Sequence, residues 1–187
     1  AALPLAAQDY HFSKQISAGG TVEISNITGN VEVTRASGRT AEVSVRKIVK
    51  RGDGNLVKAV MEAGSNGGMR VCTVYLRRAD EARGCNGGSN DRDGGRRGDR
   101  LEVDMHYTVS VPAGALVEVD DVNGNVTVTG VDGDRKIETV NGNVTYDGPA
   151  AAALSTVNGT VTATFTRASW TGTLHIESVN GAVNLTF

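Results

Sequence analysis

Asp121-Val122-Asn123-Gly124-Asn125-Val126, Thr139-Val140-Asn141-Gly142-Asn143-Val144, Thr156-Val157-Asn158-Gly159-Thr160-Val161 and Ser178-Val179-Asn180-Gly181-Ala182-Val183 spell one phrase four times in the last third of a 187-residue chain. A looser copy, Asn26-Ile27-Thr28-Gly29-Asn30-Val31, stands near the start. Repetition at about twenty residues marks stacked supersecondary units, each of which buries its apolar face only against its neighbours. Architecture follows from such a repeat more directly than activity does.

Counting from the glycine of each copy, five residues before it stand Ile24, Val119, Ile137, Leu154 and Ile176. Two before it are Ile27, Val122, Val140, Val157 and Val179; two after it, valine in all five copies; four after it, Val33, Val128, Tyr146, Ala163 and Leu185. These columns are the expected interior. Asn-Gly between apolar runs ordinarily signals a hairpin. Here a two-residue loop would set Asp121, Thr139 or Thr156 against a core valine, a mixing that a one-sided sheet does not tolerate. If each copy instead turns a corner and stacks on the next, valine meets valine and asparagine meets asparagine. The expected fold is therefore all-β, a single-stranded β-solenoid, with a short β-meander as the alternative.

The glycines at 124, 142, 159 and 181 are 18, 17 and 22 residues apart, so four regular coils are expected over 117–187. The longest spacing reflects a wide corner, Arg167-Ala168-Ser169-Trp170-Thr171-Gly172. Upstream, strands are expected at Tyr10–Ile16, Thr21–Thr34, Thr40–Val49, Met69–Leu76 and Leu101–Val111, the last alternating cleanly. Gly54–Ala63 reads equally as a short helix or a strand. Residues 77–100 mix charge with glycine, bury too little to offset ordering entropy, and are expected to form a mobile loop. The domain expectation is one solenoid over 10–187, preceded by residues 1–9 as a signal-peptide remnant or disordered start. Ala1-Ala2-Leu3-Pro4-Leu5-Ala6-Ala7 resembles the small-residue end of a secretory signal.

Net charge is −2, which gives no call for nucleic acid, and no run approaches the roughly 20 apolar residues of a membrane helix. In an exported chain Cys72 and Cys85 would form a disulfide clipping the mouth of the charged loop; the alternative is a pair of reduced structural thiols.

The chemistry on offer is thin. Four residues before each glycine lie Ser25, Asp120, Glu138, Ser155 and Glu177, an outward ladder whose members would stand about 4.8 Å apart from coil to coil. With Asp121, Asp132 and Asp134 close in sequence, such carboxylates could hold Ca²⁺, or serve a lyase with Arg135 or Arg167 as base. A solvated polar face, which every solenoid needs, is the preferred reading, with no catalytic residue, metal or cofactor assigned. Asn123, Gly124, Asn141, Gly142, Asn158, Gly159, Asn180 and Gly181 are expected to serve the turn, where both residue types accept positive φ. His11, His106 and His175 fall in different elements and read as isolated. Arg51-Gly52-Asp53 and Arg97-Gly98-Asp99 are chance tripeptides in a glycine-rich chain. Trp170, the sole tryptophan, either stacks on a ligand or caps the solenoid together with Phe187.

The Val-Asn-Gly-(Asn/Thr)-Val repeats resemble those of bacterial exported proteins of the DUF4097 type, related to "putative adhesin" head domains. So do the lead-in Tyr107-Thr108-Val109-Ser110-Val111-Pro112-Ala113-Gly114 and the segment Val71-Cys72-Thr73-Val74-Tyr75 with Cys85. The resemblance spans Tyr10 to Phe187, and Thr28 departs from it where the repeat has asparagine. It implies a right-handed β-helix and an extracytoplasmic location, and brings no catalytic motif. The function expected is a non-catalytic cell-envelope module that binds a polysaccharide or protein partner through Trp170, Asp120, Glu138 and Glu177. A polysaccharide-lyase-like enzyme and a passive assembly scaffold are the alternatives.

Overall fold

A computed structural model describes residues 7–85, 101–132, 135–149, 152–167 and 172–187. Fifteen strands run in chain order: β1 Ala7–Gln15, β2 Thr21–Ser25, β3 Val31–Arg35, β4 Thr40–Arg51, β5 Val57–Ala63, β6 Met69–Tyr75, β7 Glu102–Val111, β8 Leu116–Asn123, β9 Val126–Thr129, β10 Arg135–Asn141, β11 Val144–Gly148, β12 Ala153–Asn158, β13 Val161–Phe165, β14 His175–Asn180 and β15 Val183–Thr186. They form two sheets, ordered β1-β4-β7-β3-β9-β11-β13-β15 and β14-β12-β10-β8-β2-β6-β5. The undecided stretch Gly54–Ala63 is a 3-10 turn, Gly54–Leu56, leading into β5.

The strands on either side of each Asn-Gly lie in different sheets, so the phrase is a corner and not a hairpin. Every copy meets the next in parallel and without a shift. Val119, Ile137, Leu154 and Ile176 are successive partners in one sheet; Val126, Val144, Val161 and Val183 are in the other. The early copy joins the same columns through Ile24 on Val119 and Val31 on Val126. One continuous apolar core results, from Ile16 to Phe165.

One column expected inside faces out. The residue two before each glycine faces outward: Val140 and Val157 are each 38% exposed and Val179 is 61% exposed. Inside, one position earlier, lie the polar Thr139, Thr156 and Ser178. Their hydroxyls donate to the glycine carbonyl of the preceding coil: Thr139 Oγ1 to Gly124 O at 3.2 Å, Thr156 Oγ1 to Gly142 O at 2.9 Å, Ser178 Oγ to Gly159 O at 2.8 Å. The corner leaves that carbonyl without a ladder partner, and a buried carbonyl must be satisfied. Threonine therefore goes in and valine out. A Cβ on Gly142 would collide with the Gly124 carbonyl, and one on Gly159 with that of Gly142. Close backbone approach, rather than positive φ, reserves these positions for glycine.

The turn asparagines form a ladder on the outside. Nδ2 of Asn141 donates to Oδ1 of Asn123 at 3.0 Å, Asn158 to Asn141 at 2.8 Å, and Asn180 to Asn158 at 3.0 Å. A second ladder runs through Asn30, Asn125 and Asn143, whose Oδ1 atoms accept the backbone N–H of the next coil at 2.8 to 3.1 Å.

Upstream the regularity stops. β4 pairs antiparallel with both β1 and β7, and β5 antiparallel with β6. The core here admits polar groups held individually. Lys47 is buried, and its Nζ donates to Gly54 O at 2.9 Å and Val57 O at 3.2 Å; burial, then Lys58, lowers its pKa. Asn26 gives its amide hydrogens to Gly29 O and Met105 O and accepts from Thr73 Oγ1, which also meets the Tyr107 hydroxyl at 2.8 Å.

At the joint between the two parts sits Asp121, buried in the column where later coils carry Thr139, Thr156 and Ser178. Neither carboxyl oxygen has a hydrogen-bond partner among the described residues. Burial raises its pKa to about 6; the Val122 N–H and the Asn26 side chain oppose the rise without closing a bond. The carbonyl equivalent to those that Thr139, Thr156 and Ser178 satisfy, Gly29 O, is taken by the Asn26 amide instead, at 3.0 Å.

Candidate binding surface

The outer face of the seven-stranded sheet carries the ladder singled out in the sequence. Ser25, Asp120, Glu138, Ser155 and Glu177 are successive register partners on β2, β8, β10, β12 and β14. Asp120 and Glu138 are therefore immediate neighbours, whereas Ser155 separates Glu138 from Glu177. A parallel column two residues earlier holds Glu118, Lys136, Ala153 and His175. Sequence reasoning passed over Glu118 and Lys136, although both sit at that same offset from the ladder.

Lys136 decides the electrostatics of this face. Its Nζ lies 2.9 Å from Glu138, 3.7 Å from Glu118 and 3.8 Å from Asp120. Desolvation and the flanking Glu118 and Glu138 hold the Asp120 carboxyl above its ordinary value against the pull of Lys136. The three acids keep Lys136 protonated, Glu138 foremost. The cation among these carboxylates is thus an ammonium group, and among the described residues no three His, Cys, Asp or Glu side chains are grouped to hold a metal. Further along, His175 Nε2 lies 3.6 Å from Glu177. Beside the acids runs the outward column Val122, Val140, Val157 and Val179, so an apolar ridge borders a charged one.

Of the bases considered, Arg135 is buried under the sheet, its guanidinium 5.2 Å from the Tyr146 ring, and it does not reach the acidic face. Its column, with Val22, Val117 and Ala152, points inward, so position overrides charge. Arg167 is exposed at a corner. Asp132 pairs with Arg35 at 3.3 Å and accepts from Gly114 N–H. Trp170 and Asp134 lie outside the described residues.

The eight-stranded sheet presents a different exterior. Glu32, Thr127, Thr145, Thr162 and Asn184 form one outward column; Thr34, Thr129, Asp147, Thr164 and Thr186 form another. The histidines are less isolated than expected. His11 on β1 bonds Ser44 at 3.1 Å, and His106 on β7 stands opposite Arg46, so both line one open groove with Asp9 and Thr108.

Cys72 and Cys85 are joined, with Cα atoms 5.7 Å apart. With Val74 and Leu76 they form a satellite cluster on the outer face of β6, against Leu56 and Val60. Residues 77–85 of the stretch expected to be mobile are tied down: Arg83 donates to Tyr75 O at 2.7 Å and Cys85 N–H to Glu62 at 3.1 Å. The remainder, 86–100, lies outside the described residues, as does the second Arg-Gly-Asp. In the first, Asp53 Oδ1 accepts from Asn55 N–H at 2.9 Å and serves the 3-10 turn.

No protein-family profile matches the sequence, and no curated protein matches it. Among solved structures the chain is similar to a "putative cell adhesion protein" from Clostridium sporogenes, at 7% identity and a TM-score of 0.44, covering 96% of this chain and 99% of that one. A "putative adhesin" from Parabacteroides distasonis is 12% identical with a TM-score of 0.29, covering 95% of this chain and 76% of the other. One from Bacteroides fragilis is 9% identical with a TM-score of 0.27 over 95% and 97%.

Proposed function

We propose that the protein is an extracytoplasmic, non-catalytic binding module: one right-handed, single-stranded β-solenoid over 10–187, with an adhesin-like role towards an envelope polysaccharide or protein. The carrying observation is the register. Because each coil repeats the last without a shift, the polar ladder Asp120, Glu138, Ser155 and Glu177 and the adjoining valine column run side by side over four coils. A ligand with its own repeat gains by occupying several coils at once, which raises avidity without a deep pocket. The Cys72–Cys85 bond is compatible with an oxidising compartment. Trp170 remains the second candidate contact on this reading.

The test is binding of the oxidised protein to isolated cell-wall polysaccharide and envelope-protein fractions, with the products assayed for new chain ends. Saturable binding is expected, weakened about tenfold by Asp120→Ala with Glu138→Ala, at unchanged stability. New chain ends would replace the binding module by an enzyme. Absence of binding to every fraction would leave the scaffold.

A further inference from the structure

The eight-stranded sheet changes its outer chemistry where the repeat gives way. One outward column runs Asn143, Asn125 and Asn30 and passes to His106, Arg46 and Asp9 on β7, β4 and β1. The next runs Thr162, Thr145, Thr127 and Glu32 and passes to Thr108, Ser44 and His11. A guanidinium, two imidazoles, a carboxylate and two hydroxyls thus line one open groove.

Arg46 is exposed and stands between Asp9 and His106 across the strands. Among the described residues the side chains of Arg46 and Asp9 make no ion pair or hydrogen bond, with each other or with any neighbour. A guanidinium that leaves an adjacent carboxylate unpaired keeps its fork of donors open. The imidazoles, by contrast, are held. His11 Nδ1 lies 3.1 Å from Ser44 Oγ. Nδ1 of His106 accepts the Asn30 N–H at 3.2 Å, so the ring hydrogen stands on Nε2. That Nε2 is 3.9 Å from Asp104, beyond hydrogen-bond reach, and Asp104 is taken by Lys50 at 2.5 Å. Fixed rings flank an open cation.

The ligand that matches this set carries one anionic group and several hydroxyls. The guanidinium fits a carboxylate bidentately. Asp9 would repel a second anion and accepts only from donors such as sugar hydroxyls, while Ser44 and Thr108 can donate or accept. Glu32 beside Thr108 and Glu42 two residues before Ser44 bound the patch, which confines an acid to Arg46. A bare phosphate or sulfate would meet Arg46 and leave Asp9 without a partner.

We propose that this groove binds an acidic glycan, with a sugar carboxylate on Arg46, sugar hydroxyls on Asp9, Ser44 and Thr108, and the imidazoles of His11 and His106 flanking the sugar. The site lies on the other sheet from the acid ladder and does not depend on it.

The 3 histidines of the chain serve as reporters. His11 and His106 line the groove, whereas His175 stands beside Glu177 on the seven-stranded sheet. A short oligogalacturonate titrated into the oxidised protein at fixed pH should shift the ring resonances of His11 and His106 and leave those of His175 in place. Its methyl ester keeps the hydroxyls, loses the charge and should bind about tenfold more weakly, as should inorganic phosphate. Arg46→Gln should weaken binding of the acid by about tenfold at unchanged Tm, and Asp120→Ala with Glu138→Ala should leave it unchanged. Equal binding of acid and ester, full affinity in Arg46→Gln, or no shift of any ring would overturn the proposal. So would phosphate binding as tightly as the oligomer, which would reduce the groove to a site for free anions. A shift of His175 alone would also overturn it, by moving the glycan to the acid ladder and leaving the proposed function standing.

Discussion

From β8 onward each strand lies on the strand one repeat later, parallel and in register, and the same few side chains recur at every joint. Before Val111, β4 meets β1 and β7 antiparallel, its register slips between Val49 and Arg51, and Lys47, Asn26, Thr73 and Tyr107 are each buried on terms found nowhere else. The repeat solves one packing problem and reuses the answer, so its residues are interchangeable between coils but intolerant of change in any one. The irregular part solves many problems once each, and relies on local fastenings such as the Cys72–Cys85 bond.

That contrast breaks most readily at a corner glycine. Gly142→Ala places a methyl group against the Gly124 carbonyl, between two backbones that neighbouring coils hold fixed. A loss of about 4 kcal/mol in chemical denaturation is expected. Gly38→Ala, where a Cβ would meet nothing within 4 Å, should change stability by about 0.5 kcal/mol or less. Equal losses at the two sites would show that the corners are not packed as tightly as described.

The irregular part is tested at its staple. Reduction, or Cys72→Ala with Cys85→Ala, should cost about 3 kcal/mol through loop entropy. The damage should appear first as protease cleavage within 77–85, with the coils still protected. Alkylation before reduction should find no free thiol, and intact mass would reveal one.

Asp121 sits on the boundary and sharpens the comparison by sign. Its folded pKa, about 6, lies above the ordinary 3.8, so the folded chain binds the proton more tightly than the unfolded chain does. The stability contributed is full below about pH 3.8 and is lost as pH rises through 6. The groups that face it, Asn26 and Tyr107, stay neutral throughout, because burial drives the Tyr107 pKa upward. Glu23 works the other way. Its burial is outweighed by the Ser65 N–H and Arg70, so its contribution is lost towards acid, and the parent and variant must be compared at each pH. Asp121→Thr supplies the hydroxyl of the later coils and should raise stability at pH 8 by about 2 kcal/mol, with little change at pH 4. Parallel profiles for the two proteins would remove Asp121 from the account.

The stacked columns were legible because valine and isoleucine recur at fixed offsets from the glycine, and a corner was the only reading that kept them together. At the offset two before the glycine hydrophobicity is a poor sign of direction, for Val140, Val157 and Val179 face outward. Alternation along β8, β10 and β12 puts Thr139 and Thr156 inside, where a hydroxyl satisfies a carbonyl that no leucine could. Arg135 was illegible for the same reason, as one charge in an otherwise apolar column. The antiparallel partners of β4 and β5 carry no repeat, so nothing in the sequence names them. At the surface, Asp120, Glu138 and Glu177 are readable as a ladder, whereas Lys136, two residues before Glu138 and within 4 Å of Glu118, Asp120 and Glu138, carries no repeat signal that would single it out.

The asparagine ladder has a direction. Each side-chain amide donates towards the start of the chain and accepts from the coil that follows, down to Asn123 on the Ile27 carbonyl at 3.2 Å. Four amide dipoles therefore add along the stack instead of cancelling, and each polarises the next. This edge of the stacked repeats behaves as a short electret, with its negative pole at Asn180. Adding a coil would lengthen the dipole; replacing a central asparagine with alanine would cut it into two weaker ones.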